Sequence, residues 1–188
     1  MRVWRRAVQK RARPPVRFQT RAIFPDNVRA MARKPQPKPD NSLPEGVANM
    51  RAAILEAAAS GDVEALRPVI ERNETMPIFG RGPQRPRTFA DAVDYLRRAS
   101  FDGAGRETLR VLEAVLAQPH VKQTRGPATT YVWPAFALSP SEPADEEERL
   151  ARYRCLRFAA LAVSGEEAPA VERVGIGADG TWHFFWAG

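Results

Sequence analysis

Cysteine, histidine, lysine and long apolar runs are all scarce in this sequence, and each scarcity closes a class of protein. The single cysteine, Cys155, has no partner for an intramolecular disulfide, so a disulfide framework is excluded. The two histidines, His120 and His183, do not lie at ligand spacing from each other or from Cys155, so neither a metal nor a cofactor is expected. The longest unbroken apolar run reaches only from Phe158 to Val163, far short of the roughly 20 residues a spanning helix needs. The N-terminus has the basic region of an export signal without the apolar segment behind it. A soluble, cytoplasmic protein is therefore the default expectation, with an envelope location in play if translation begins at Met31 or Met50. Walker loop, nucleophile elbow and dinucleotide fingerprint are all missing. Lysine is outnumbered by arginine 4 to 25, which reads as the coding bias of a GC-rich bacterial genome.

What is present divides sharply by charge. Residues 1–39 carry twelve Lys or Arg against one acid, Asp26, a net of +11. The remaining 17 basic and 21 acidic residues leave 40–188 at −4. The high pI thus belongs to one segment, and that segment holds the alternating Pro35, Pro37 and Pro39. Proline removes backbone donors and favours extended chain, so residues 1–42 are expected to be a disordered basic tail. Residues 43–188 are expected to form one α+β domain.

From Pro44, the apolar residues Val47, Met50, Ile54, Leu55 and Ala58 recur at helical spacing. Gly61 ends that helix, and Asp62 caps a second one using Val63, Leu66, Val69 and Ile70, with a kink or late start at Pro68. Met76–Arg87 reads as a loop. Thr88 with Asp91 opens a helix near Phe89–Arg98, and Asp102-Gly103 turns the chain into another helix from about Arg106 to Gln118. Thr129–Trp133 reads as a strand, and Asp145 starts one long helix to about Val163. Val171–Ile176 and Thr181–Ala187 flank Gly177-Ala178-Asp179-Gly180, good hairpin chemistry. Strict alternation would set Trp182, Phe184 and Trp186 on one face. The expected architecture is four to five helices packed on a small antiparallel sheet that ends in a C-terminal β-hairpin.

The stretch Ala57 to Leu66 resembles the helix–turn–helix phrase of an ankyrin repeat, but nothing follows at the required period. Ser60-Gly61-Asp62 with Leu66-Arg67-Pro68-Val69, Tyr131-Val132-Trp133-Pro134, and Val174 to His183 together resemble a group of small bacterial proteins of unknown function, chiefly alphaproteobacterial. That resemblance implies a shared α+β fold and supplies no activity.

For chemistry, His183 alternates with aromatics and lies four residues from Asp179, so a strand histidine opposite a carboxylate is the candidate general base of a hydrolase-like enzyme. His120 suits a helix end, Cys155 reads as a small core residue, and Asp91 with Asp94 as a solvated helix face. Tyr131, Trp133, Trp182 and Trp186 are the candidate ligand-binding aromatics. The leading expectation is a non-enzymatic binding or accessory module for a protein or cell-envelope component. The alternatives are the His183–Asp179 hydrolase and a nonspecific attraction of the tail for phosphate or anionic lipid. No sequence-specific nucleic-acid partner is expected, because no helix carries a clean basic stripe. Limited trypsin digestion is expected to leave a fragment beginning near Leu43; protection of Arg17 or Arg21 would contradict the tail assignment.

Overall fold

A computed structural model describes residues 43–138, 145–162 and 169–187; the expected basic tail, residues 1–42, lies outside them. Helix α1, Glu45–Ala59, starts directly after Pro44, whose carbonyl accepts from Ala48 N–H. Its Val47, Ile54, Ala57 and Ala58 are buried on one side. Asp62 accepts from Glu64 N–H and begins a short 3-10 turn, Val63–Leu66, that runs into α2, Arg67–Glu71. Pro68 sits in the first turn of α2, where no intrahelical donor is lost. That is the break its position implies.

Helix α3, Phe89–Arg98, is capped by Thr88, whose hydroxyl oxygen accepts from Asp91 N–H. Helix α4, Arg106–Leu116, is preceded by Asp102, which accepts from the N–H groups of Ala104, Gly105 and Arg106. Burial raises the Asp102 pKa, but these three donors outweigh it and hold the carboxyl below its usual range. Leu109, Val111, Leu112, Val115 and Leu116 make α4 the central helix of the core. Arg51 on α1 donates twice to Leu116 O and so closes the far end of α4.

The sheet has the order β1-β5-β4-β3-β2, from β1 Ile78–Phe79, β2 Val121–Arg125, β3 Ala128–Trp133, β4 Glu172–Gly177 and β5 Trp182–Ala187. Four strands are antiparallel neighbours, but β1 runs parallel to β5, so the sheet is not wholly antiparallel as expected. β1 lies inside the stretch read as loop, because two residues carry no periodicity. β2 was likewise not expected: Val-Lys-Gln-Thr-Arg is mostly polar, and its pairing with β3 supplies what its composition does not.

The long helix expected from Asp145 is two helices, α5 Glu146–Arg154 and α6 Phe158–Ala162. The break is made by tertiary hydrogen bonds that compete with the helical ladder. Arg110 donates to Arg154 O and Leu156 O, Glu107 accepts from Phe158 N–H, and Glu172 N–H donates to Cys155 O. Six α-helices therefore appear among the described residues, and none is long and apolar enough to cross a membrane.

The C-terminal hairpin departs from strict alternation. Gly175 pairs with Phe184 and Ile176 with Trp182, so β5 holds one extra residue, His183, at a β-bulge. Trp182 therefore turns to the helical side with Phe185, where it meets the Phe79 ring edge-on at 5.3 Å. Phe184 and Trp186 point the other way, which corrects the expectation of a single Trp182–Phe184–Trp186 face. The first turn of α1 rests on the hairpin turn: a Cβ on Gly46 would lie 2.9 Å from Asp179 O. Helix propensity alone would make Gly46→Ala stabilising by up to about 1 kcal/mol. Because the obstacle is backbone, overpacking is expected to win, with a net loss of about 1–3 kcal/mol. Urea unfolding beside Ala52→Ser, at an exposed position of the same helix, checks it.

Candidate functional site

Asn73, just beyond α2, is the residue that organises this region. It is buried, its amide nitrogen donates to Val69 O and Ile70 O, and its oxygen accepts from Trp182 N–H at 2.7 Å. On that side of β5, β1 pairs only with Phe184 and Phe185, so an unpaired buried donor would result if Asn73 were absent. Beyond the bulge, Phe184 lies over Gly175, where a Cβ would come within 2.2 Å of the ring. Only glycine lets that ring lie flat on the sheet.

Next to Phe184, at a centroid distance of 6.0 Å, Trp186 carries two cations. The Arg81 guanidinium stands 3.7 Å from the indole centroid and that of Arg173 4.9 Å. Arg173 Nε is buried with no hydrogen-bond partner among the described residues. Desolvation, with the nearby Arg81 charge added, lowers the Arg173 pKa. Phe184, Trp186 and Arg173 line one wall of an open trough of about 410 Å³. Gln123, Arg125, Thr130, Val132 and Leu138 are among the residues on its other side, and among the described residues none that lines it carries a carboxylate.

Of the aromatics expected to bind ligand, only Trp186 lines the trough. Tyr131, Trp133 and Trp182 are buried core residues, their rings spent on packing. His183 and Asp179 do come together: both would contact a Cβ on Gly177, at 2.6 and 2.5 Å. Both are exposed at the hairpin end and outside the trough. The Asp179 carboxylate already accepts from Thr181 N–H at 2.9 Å, and that bond is the main reason its pKa is lowered, with His183 a smaller contribution. His120 packs against the Tyr131 and Trp133 rings. Cys155 is fully buried at the end of α5, and desolvation pushes its thiol up to about 12, the opposite of an activated nucleophile. No group of three or more metal-ligating residues gathers among the described residues.

The chain matches no family model, no curated protein and no solved structure. The site therefore rests on its own geometry. Arg81, Arg125 and Arg173 were not among the expected site residues, because they come from a loop and two strands far apart in sequence. One signal was present: Met76–Arg87 holds three arginines and no acid.

A second polar cluster lies inside the molecule. Arg157 donates to Glu172 at 2.6 Å, to Thr108 Oγ1 at 2.8 Å and to Ala99 O. Ser100 and Thr108 share a hydrogen bond, and Glu107 accepts from Phe101 N–H and Phe158 N–H. Every bond here joins one element to another, so the cluster acts as a clamp. Burial raises the Glu172 pKa, partly offset by Arg157.

Arg157→Met would leave that carboxylate buried and unpaired, an expected loss of about 3–5 kcal/mol near neutral pH. The deficit should grow with pH. The unfolded chain ionises Glu172 freely above about pH 4.3, whereas the native variant resists ionisation even more than the wild type does. Urea unfolding at pH 4.5 and pH 8 measures it; a deficit that shrinks on raising the pH would contradict this account.

Proposed function

We propose that this protein is a non-enzymatic binding module for a protein partner, which docks on the outer sheet face around Trp186. The observation that carries this reading is the Arg81–Trp186–Arg173 stack beside an open trough. Tryptophan and arginine dominate the energetics of protein interfaces because both offer large contact area and directed polar contacts. Here they are presented together beside an apolar strip of Phe184, Val132 and Leu138. The hydrolase alternative has less support. His183 has its carboxylate neighbour, but Asp179 is occupied by Thr181 N–H, and both stand in solvent rather than in a desolvated cleft.

Another apolar surface supplies the natural control. Phe101, Tyr153, Phe158 and Leu161 border a groove of about 460 Å³ on the helical side, with Phe101 70% and Tyr153 62% exposed. A partner recovered with the tagged full-length chain from the encoding organism, identified and then purified, is expected to bind in calorimetry. Trp186→Ser is expected to weaken that binding about 30-fold, the scale of a hot-spot residue. Phe101→Ser is expected to leave it unchanged, with both variants keeping the wild-type circular dichroism spectrum. Loss with Phe101→Ser and retention with Trp186→Ser would move the docking surface and overturn the assignment. So would turnover of a generic ester, phosphate or glycoside substrate that His183→Ala abolishes.

A further inference from the structure

Resting on the reading of the outer face as the docking surface, we propose the chemistry of its occupant. The trough takes an extended acidic segment of the partner, whose carboxylates pair with Arg81 and Arg173 at one end and with Arg125 at the other. Three observations carry this.

The first is uncompensated charge. Two guanidiniums share one indole, and among the described residues neither makes a hydrogen bond or an ion pair. Glu172 precedes Arg173 in β4, but its side chain is buried on the opposite side of the sheet and held by Arg157. Holding two cations together costs free energy that an incoming carboxylate would recover, through charge-assisted and bidentate bonds.

The second is the distribution of that charge. Residues 40–188 are net acidic, yet among the described residues the trough is lined by two arginines and no acid, and the adjoining Met76–Arg87 loop adds Arg81, Arg85 and Arg87. The chain's own residues 1–39, at +11, have the wrong sign to occupy it.

The third is spacing. Arg173 and Arg125 come from the two outermost of three neighbouring strands, β4 and β2, with the apolar Val132 and Ala128 of β3 between them. Such a surface suits a segment with acids flanking apolar side chains rather than a lone anion. A single-stranded nucleic acid fits less well, because such sites stack successive bases on aromatic rings. Arg81 already covers Trp186, which leaves Phe184 as the open ring in the trough.

The test uses the full-length chain and fluorescence anisotropy at low salt. The probes are dye-labelled ten-residue peptides of alternating Glu and Val, the same peptide with Gln for Glu, and oligouridylate. The Glu peptide is expected to bind and the Gln peptide not to. The double variant Arg81→Gln/Arg173→Gln is expected to weaken the Glu peptide at least about tenfold, as loss of charge-assisted contacts implies, and Arg125→Gln by a smaller factor. Arg98→Gln/Arg149→Gln, which removes the same charge from exposed helical positions, is expected to change it less than twofold. Three results would overturn the proposal: no binding of the Glu peptide, equal binding by wild type and Arg81→Gln/Arg173→Gln, or an Arg81- and Arg173-dependent site that takes oligouridylate and not the peptide. A purified partner lost with Trp186→Ser but kept by Arg81→Gln/Arg173→Gln would defeat this inference alone and leave the binding-module reading intact.

Discussion

The hydrogen bond from Trp182 N–H to Asn73 Oδ1 is the contact on which the sheet's two faces depend. A bulge places one more residue on β5 than on β4, and next to it the buried Trp182 N–H lies beyond the reach of β1, which pairs only with Phe184 and Phe185. Asn73 meets that donor from beneath, while its own amide ties back to the last carbonyls of α2. With the bulge in place, Trp182 and Phe185 join the core and Phe184 and Trp186 leave it. Without it, strict alternation would put Trp182 on the same face as Phe184 and Trp186, opposite Phe185.

The core side of the sheet is braced by a different kind of contact. Arg157, Glu172, Thr108 and Ser100 form a polar chain among α4, β4 and the turns that follow α3 and α5, and Glu107 extends it to the start of α6. A buried ion pair is seldom a large net source of stability, since desolvation consumes much of the Coulomb gain. Its value here is geometric. It holds β4 against the segment between α5 and α6, where the bonds from Arg110 and Glu107 interrupt the helix, so that Cys155 and Leu156 sit in the core and Phe158 packs on Phe101 at the surface.

Those two devices fix the outer face at which we propose binding. Its strands are registered from below by the core and by Asn73, so Arg173, Phe184 and Trp186 stand on a rigid element. Arg81 alone comes from a loop, and its stacking on the indole gives it a defined seat. A surface built in this way would lose little conformational entropy in the proposed binding, and preorganisation of that kind raises affinity without new contacts. Recognition is the chemistry we propose for it. Of the candidate reactive groups, Cys155 is buried and Asp179 already accepts from Thr181 N–H.

Much of the architecture was legible in the chain itself. Helices α1, α3 and α4 announce themselves by apolar spacing, by the cap at Thr88 and by the turn at Asp102-Gly103, and the C-terminal hairpin by its Gly-Ala-Asp-Gly turn, because each signal is local. Charge segregation between residues 1–39 and the rest was equally plain. Tertiary structure alone decided the rest. β1 and β2 exist because neighbouring strands pair with them, the break at Cys155 because Arg110 and Glu107 reach across from α4, and the face of Trp182 because Asn73 lies 109 positions away. The trough follows the same logic. Its cations are separated by 44 and 48 residues in sequence, a distance that no local period can register and that only the pairing of β2, β3, β4 and β5 closes.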